Sequence, residues 1–337
     1  MTLRLKVEPR EQSAAAIAEA AAILRGGGTV AIPTETVYGL GANAFDAAAV
    51  AKIFAAKERP AWDPLIVHVA DEAMLREVVA EVSPITRRLM DAYWPGPLTL
   101  LLPRTAAIPD AVTAGRPLVG VRMPAHPVAR AVIYAAGVPV AAPSANRFGH
   151  TSPTTAEHVL EDLDGRIDAV VDGGPAEFGL ESTVLDPNAM PVTIYRPGAV
   201  TLEQIRMLAG DAVYFREPAA LVEELREALP SPGVGLRHYA PRAKLVLFGT
   251  DEGAPVIEGA SVGLMRAEGL PGAGAGGGYA AVYPWGRWAH PNELAQRLFA
   301  GLRYLDGMGC EVILCPVPEG GGIAEAIRDR LRKASWR

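Results

Sequence analysis

The sequence predicts an α/β protein with a twisted, mixed sheet in its first two-thirds and a second, smaller α/β domain behind a linker. Three observations predict it. Short apolar β-type runs alternate with helical stretches through the first 209 residues. Residues 210–242 then hold Pro218, Pro230, Pro232, Gly233, Gly235 and Pro241, punctuation that interrupts both periodicities. A further helix and strand pattern follows. With 337 residues, half of them apolar, the chain is long enough for two cores. The expected division is 1–209, a linker at 210–242, and 243–337.

The elements follow in order. Ser13 to Arg25 is an Ala-rich helix that opens on a serine able to cap and is stopped by Gly26, Gly27 and Gly28. Thr29 to Ile32 is a strand. Asp46 caps a helix from Ala47 to Ala56, which delivers Lys57 and Arg59 at its C-terminal end. Leu65 to Val69 is a short strand, helices lie near 71–80 and 84–92, and Leu98 to Leu102 is the next strand. The pattern repeats with a strand at Leu118 to Arg122, a helix at Pro127 to Ala136 and a strand at Val138 to Ala142. Thr155 to Leu163 is a helix, 168–172, 183–186 and 192–195 are strands, and a helix near 201–209 closes the domain. Beyond the linker, Lys244 to Phe248, Ser261 to Met265 and Glu311 to Cys315 read as strands, and Asn292 to Leu305 and Ile323 to Lys333 as helices.

Bulk properties exclude several classes. A net charge of −6 argues against a broad basic surface for nucleic acid, while leaving room for a local cluster of cations. The apolar runs fall far short of the ~20 residues that span a bilayer. The N-terminus lacks the apolar core of a signal peptide, so a cytoplasmic location is expected. Cys310 and Cys315 lie on opposite faces of a strand, which argues for buried structural thiols over a disulfide or metal pair. Gly272-Ala273-Gly274-Ala275-Gly276-Gly277 matches a dinucleotide fingerprint in letters, but a strand-like segment follows where a helix is needed, so it reads as a loop. The sequence carries no P-loop, no zinc-protease motif and no nucleophile elbow.

The chemistry gathers at strand ends. Pro33-Thr34-Glu35-Thr36-Val37-Tyr38-Gly39-Leu40-Gly41 begins where the first strand meets a proline. Hydroxyls, a carboxylate and a phenol crowd there, ahead of glycines expected to let the chain turn. Lys57 and Arg59 suit the macrodipole of the helix before them. They equally suit a phosphate, which Arg59 grips bidentately and Lys57 meets as a point charge. His68 lies within an apolar strand, as a core histidine or a ligand contact. Arg122 ends a buried strand and needs an anion, for which a ligand carboxylate is a credible partner. Ser144 and Asn146 are turn formers or contacts to phosphate and ribose. Glu181-Ser182-Thr183 and Arg196 are again at strand edges, and one pocket for an anionic ligand accounts for Arg59, Arg122 and Arg196 together.

These motifs, with Pro64-Leu65-Ile66-Val67-His68, Arg196-Pro197-Gly198 and the linker's Arg237-His238-Tyr239-Ala240-Pro241, resemble the YrdC family, specifically the L-threonylcarbamoyladenylate synthases in their long, two-domain form. The resemblance implies a YrdC-like domain with a concave positive cavity and a Rossmann-like C-terminal domain. It implies an enzyme that joins L-threonine, bicarbonate or CO2 and ATP, with Mg2+ brought by the ATP, into threonylcarbamoyl-AMP, releasing pyrophosphate. A separate transferase would then carry the group to tRNA beside the anticodon, with no stable nucleic-acid binding and no membrane partner. Matching motif by motif, Thr36, His68, Arg122, the Ala142 backbone and Ser182 would hold threonine, with Thr34 and Tyr38 close by. Arg59, Asp63, Leu118, Ser144, Asn146, Ser152, Arg196 and Tyr239 would face ATP, and Lys57 and Arg59 would stabilise charge during the reaction. Two positions depart from the pattern. Asp63 stands where asparagine is frequent and would repel phosphates unless Mg2+ or Lys57 intervenes. Leu118 stands where a hydroxyl is common, leaving only backbone or packing contact. One alternative is an RNA-binding module, disfavoured by acidic charge and 6% aromatics. The other, a carbamoyl-phosphate-dependent hydrogenase maturation relative, is disfavoured by chain length and scarce cysteine.

Overall fold

The computed structural model describes residues 1–7, 10–216, 238–250, 253–270 and 278–336, with backbone alone at 10–12. Most of the expected linker (217–237) and the glycine run at 272–277 lie outside the described residues.

The first sheet is assembled from β1 (Leu3–Lys6), α1 (Arg10–Arg25), β2 (Val30–Ile32), β3 (Gly39–Asn43), α2 (Ala47–Lys57), β4 (Ile66–His68), α3 (Glu72–Val78), α4 (Pro84–Tyr93) and β5 (Leu98–Pro103). It continues through α5 (Asp110–Thr113), β6 (Leu118–Arg122), α6 (Pro127–Ala136), β7 (Val140–Ala141), α7 (Ala156–Leu163), β8 (Ala169–Asp172), β9 (Thr183–Asp186), β10 (Val192–Arg196), α8 (Leu202–Ala209) and β11 (Ala212–Tyr214). Across the sheet the order is β1-β8-β2-β3-β7-β4-β6-β5-β9-β10-β11, with parallel and antiparallel neighbours mixed. β2 and residues 98–102 of β5 are buried throughout.

Local chemistry sets the helix ends. Asp46 caps α2, its carboxylate accepting from Ala48 N and Ala49 N at 2.8 and 3.2 Å. At the other end Glu58 adopts the left-handed conformation with φ 55°, and Arg59 N returns to Phe54 O at 3.0 Å. That closing turn aims Arg59 away from the helix axis. Ser13, expected to open α1, lies inside it, because the helix already starts at Arg10.

Three further departures have physical reasons. Gly39 and Gly41 make no turn. They lie in β3, antiparallel to β2, where a Cβ on Gly41 would stand 2.6 Å from Val140 Cγ1 and one on Gly39 3.3 Å from Ala142 Cβ. The glycines allow close approach to β7. The edge strand β1 was not anticipated because three of its four residues are exposed and it lacks an apolar run. β11 falls in the segment expected to be linker, yet it pairs in parallel with β10.

The second sheet holds β12 (Lys244–Phe248), β13 (Val262–Glu268), β14 (Ala281–Arg287) and β15 (Val312–Pro316), in the order β12-β15-β13-β14 and all parallel. Pro284 is tolerated because β14 is an edge strand. Helices α9 (Pro291–Gly307) and α10 (Ile323–Ser335) pack on this sheet and on each other. Cys310 and Cys315 are free and buried. Among the described residues no helix is long and apolar enough to cross a membrane.

The two halves meet closely. Gly179, at φ +68°, lies against α9 so tightly that a Cβ would fall 2.4 Å from Gln296 O. Arg303 of α9 donates to Asp162 Oδ2 and to Thr151 O, each at 2.6 Å. Gly179→Ala is expected to destabilise the protein by about 1–3 kcal/mol, since the clash is with backbone and the conformation disfavours a side chain. Urea unfolding measures it; an unchanged midpoint would mean that α9 can withdraw freely.

Candidate functional site

A cavity opens over the first sheet, with about 550 Å³ of empty space including its solvent-filled mouth. Ile66 and His68 project from the same side of β4, so the floor is a sheet face as well as a set of strand ends. Around it stand Thr34, Thr36, Arg59, Arg122, Ser144 and Arg196, with Tyr239 over one side.

The loop between β2 and β3 is wound by its own hydroxyls. Thr34 Oγ1 donates to Val37 O at 2.6 Å, so the 2.9 Å bond between the two threonines is donated by Thr36, which in turn accepts from Arg122 Nη1 at 2.9 Å. Arg122 lies beside His68 in the parallel register of β4 and β6 and donates through Nε to Gly96 O at 3.1 Å. Its anion is internal. Glu35 Oε1 is 2.6 Å from Arg122 Nη2, both side chains being nearly inaccessible. Burial alone would raise the Glu35 carboxyl, but the charge and hydrogen bond of Arg122 override it and hold it low. Beside the ligand carboxylate that the sequence suggests for Arg122, the folded chain supplies Glu35 from the loop between β2 and β3 as a standing partner.

Arg59 is buried and fixed by Asp63 O at 3.2 Å, Pro64 O at 2.8 Å and an ion pair to Asp63 Oδ2 at 3.0 Å. Asp63 is thus neutralised chiefly by Arg59 rather than by Lys57, and it does not line the cavity. Its Oδ1 has no partner, and burial pushes its carboxyl pKa up. Lys57 is also buried behind the wall. Its ammonium binds the carbonyls of Ser144, at 2.7 Å, and Asn146, and burial followed by the nearby Arg59 drives its pKa well down. Asn146 sits behind Ser144, donating to Arg147 O and His150 O at 2.7 and 2.8 Å, with Oδ1 unpartnered.

Arg196 donates to Ser182 O and Ser182 Oγ, both at 3.0 Å, and Ser182 Oγ also meets Thr99 Oγ1 at 2.8 Å. Among the described residues it has no carboxylate in ion-pair contact, although it is buried in the cavity wall. A buried guanidinium without a carboxylate in contact favours a nearby anion. Ser152 lies deeper, its hydroxyl bonded to Glu181. His68 is buried with Nδ1 unpartnered, and burial, reinforced by Arg122, lowers its pKa to about 3. Tyr239, wholly buried at φ +65°, stacks on Phe299 at 5.6 Å, and its hydroxyl has no partner.

Of the predicted residues, Thr36, Arg59, His68, Arg122, Ala142, Ser144, Ser182, Arg196 and Tyr239 line this one cavity. Lys57, Asp63, Asn146 and Ser152 stand behind its wall. Leu118 does not join them. It opens β6 four residues before Arg122, about 13 Å along the strand, and packs with Ile66, Leu101 and Val184 on the side of a separate surface groove. Arg330 went unnoticed in the sequence, although its signal was there: a charge on the otherwise apolar stripe Ile323, Ile327, Ala334 of α10.

The arrangement defines an α/β protein that binds a small anionic ligand on buried cations and hydroxyls. Comparison with known proteins narrows this. Residues 22–198 match the Sua5_yciO_yrdC family model, described as telomere recombination, and residues 200–335 match Sua5_C, described as the C-terminal domain of threonylcarbamoyl-AMP synthase. The chain is 41% identical over 319 residues to a threonylcarbamoyl-AMP synthase of Pyrococcus abyssi, covering 94% of this chain and 93% of that protein. It is 43% identical over 333 residues to that of Bacillus subtilis, covering 95% and 92%. A crystal structure of P. abyssi Sua5 complexed with L-threonine superposes with TM-score 0.87 at 38% identity, over 99% of this chain and 97% of that one. The chain belongs to the threonylcarbamoyl-AMP synthase family.

His68 gives the site a pH signature. Its folded pKa of about 3 lies below the ordinary 6.5, so the unfolded chain takes up the proton first as pH falls. Its contribution to stability is complete above about 6.5 and is lost progressively toward about 3. Thermal midpoints should fall across that window, and His68→Gln should flatten the slope; equal slopes for the two proteins would count against a neutral, buried His68.

Proposed function

We propose that the chain synthesises L-threonylcarbamoyl-AMP from L-threonine, bicarbonate or CO2, and ATP, releasing pyrophosphate, and so supplies the threonylcarbamoyladenosine modification of tRNA next to the anticodon. The observation that carries the reading is the buried cavity wall of Arg59, Arg122 and Arg196 in a chain of this family. The enzyme is a nucleotidyltransferase that acts in the cytoplasm and passes its product to a separate transferase.

Threonine binds toward Thr36, His68, Arg122, the Ala142 backbone and Ser182. The donors of Arg122 are shared with Glu35 and Thr36, so the incoming carboxylate meets a guanidinium already oriented. The orphaned His68 Nδ1 supports a contact there. ATP binds toward Arg59, Ser144, Arg196 and Tyr239, with Asp63, Asn146 and Ser152 behind them. Lys57 acts from beneath the loop by fixing the Ser144 and Asn146 carbonyls. The carboxylates fit a resident metal poorly: Glu181 is engaged by Ser152 and Arg330, and no cluster of metal-ligating side chains occurs among the described residues. Mg2+ therefore enters as part of the MgATP substrate.

The threonine amine adds to CO2 with loss of a proton, or condenses with bicarbonate with loss of water, to form N-carboxythreonine. A carbamate oxygen then displaces pyrophosphate from the α-phosphate of ATP. No protein nucleophile is needed. The side chains supply positioning and fixed positive charge, and a dry cavity protects the carbamate and the mixed anhydride from water. The segment around His238 and Tyr239 closes the site, as the complete burial of Tyr239 suggests.

An RNA-binding module is not favoured. The cations here are buried and face inward, the opposite of an electrostatic stripe for phosphates.

Pyrophosphate release from ATP should require both threonine and bicarbonate. Release that ignores threonine would mean a different acceptor. Arg196→Gln should weaken ATP by roughly 10- to 100-fold, the worth of one charged hydrogen-bonding partner. Tyr239→Ala with unaltered ATP binding and turnover would remove the closing role of that residue.

A further inference from the structure

We propose that Arg330, on the C-terminal helix, is a positioning residue for the nucleotide side of the cavity, holding Tyr239 and the Ser182–Arg196 pair from behind the wall; this rests on reading the cavity as the ATP and threonine site. Arg330 is fully buried and does not line the cavity. An arginine in the apolar stripe of an amphipathic helix carries a desolvation cost of several kcal/mol, which only well-placed acceptors offset.

Those acceptors flank the site. Nε donates to Glu181 Oε2 at 2.8 Å, and Nη1 donates to Pro197 O at 2.9 Å and to Asp329 Oδ2 at 2.7 Å. Glu181 immediately precedes Ser182, and Pro197 immediately follows Arg196. One planar guanidinium therefore ties together the two backbone segments whose next residues form the Ser182–Arg196 pair. The other carboxylate oxygen of Glu181 takes the hydroxyl of Ser152, so a third predicted nucleotide contact depends on the same pair.

The flat face of the guanidinium does separate work. It lies 5.2 Å from the ring centroid of Tyr239, which stacks on its other neighbour, Phe299 of α9, at 5.6 Å. Tyr239, which lines the cavity, is thus held by two helices of the second half. Helix α10 also reaches the residue before Tyr239 through backbone, His238 N donating to Lys333 O at 3.4 Å. The placement of Tyr239 at the cavity thus depends on α10, and Arg330 is the side chain that links the two. A lysine keeps the charge but cannot reach Glu181, Pro197 and the Tyr239 face at once.

The test varies ATP at saturating threonine and bicarbonate, reading pyrophosphate release, and measures a non-hydrolysable ATP analogue by calorimetry. The proteins are wild type, Arg330→Gln, Arg330→Lys, Tyr239→Ala, the Arg330→Gln/Tyr239→Ala double variant and Arg328→Gln. Arg328 sits on the same helix but bonds only to Pro318 O and Gly320 O among the described residues, so its loss reports a local structural cost. Arg330→Gln should raise both the ATP KM and the analogue Kd about tenfold, with kcat changed less than about threefold. The double variant should fall short of the product of the two single effects, because both changes release the same ring while only Arg330→Gln also frees the Ser182–Arg196 segments. Arg330→Lys should show the same KM shift at near-normal thermal stability, which keeps the test valid if the glutamine variant fails to fold. An Arg330→Gln or Arg330→Lys protein that behaves like Arg328→Gln, with unchanged KM and Kd, overturns the proposal, as does full additivity in the double variant. Wild-type enzyme without threonine- and bicarbonate-dependent release would instead overturn the reading of the cavity, whatever Arg330 does.

Discussion

Three arginines in the cavity wall and a lysine just behind it must be held in place out of water, and that need shapes the loops around them. Lys57, Arg59, Arg122 and Arg196 are all buried. Desolvation lowers the pKa of Lys57, Arg59 and Arg196, and the nearby Arg59 adds repulsion at Lys57. The solution is consistent: backbone carbonyls take most of the donors, and a single carboxylate is added where it can be hidden. Lys57 takes Ser144 and Asn146, Arg59 takes Asp63 and Pro64, and Arg122 takes Gly96 with Glu35. Each carbonyl so used belongs to a loop, so the same bonds that tame the charges give those loops their shapes. Arg196 differs in that Ser182 holds it and, among the described residues, no carboxylate is in ion-pair contact with it, which leaves its charge less compensated.

That economy explains the local geometry. Glu58 bears the strain of a left-handed backbone at φ 55° because the turn it makes sends Arg59 inward. Rigid donors suit an adenylation that needs no protein nucleophile. Dipoles and charges fixed before the substrates arrive need little reorganisation when negative charge shifts toward the departing pyrophosphate. The unpartnered atoms of His68, Tyr239 and Asn146 mark where the folded chain has left polar capacity unused.

The second half is more than an appendage. Its helices contribute Phe299 and Arg330 to the setting of Tyr239, and Arg303 to Asp162 and Thr151. The buried Glu181–Arg330 pair is the charged link between this half and the residues at the cavity. An ion pair of this burial adds little net stability over an apolar pair, but breaking it on one side is costly. It therefore fixes relative position better than it adds strength.

Much of this was legible along the chain. The α/β class, α2 with its Asp46 cap, and the strands that end in His68, Arg122 and Arg196 follow from periodicity and capping, which act over a few residues. The motif residues marked the cavity because unusual polar groups at strand ends have few other uses. Local signals failed where pairing decided the outcome. β1 and β11 exist because a neighbouring strand offers hydrogen bonds, and Gly39 and Gly41 turned out to be contact points of β3 with β7. The sequence by itself determined which polar side chains gather at the strand ends around the cavity. Only the tertiary structure decided which of them face the ligand, which stand behind the wall, as Lys57 does, and which are already paired, as Arg122 is with Glu35. The reason is physical: a charge's role is set by the dielectric and the partners around it, and those partners arrive from 87 residues away at Ser144 for Lys57 and 149 residues away at Glu181 for Arg330.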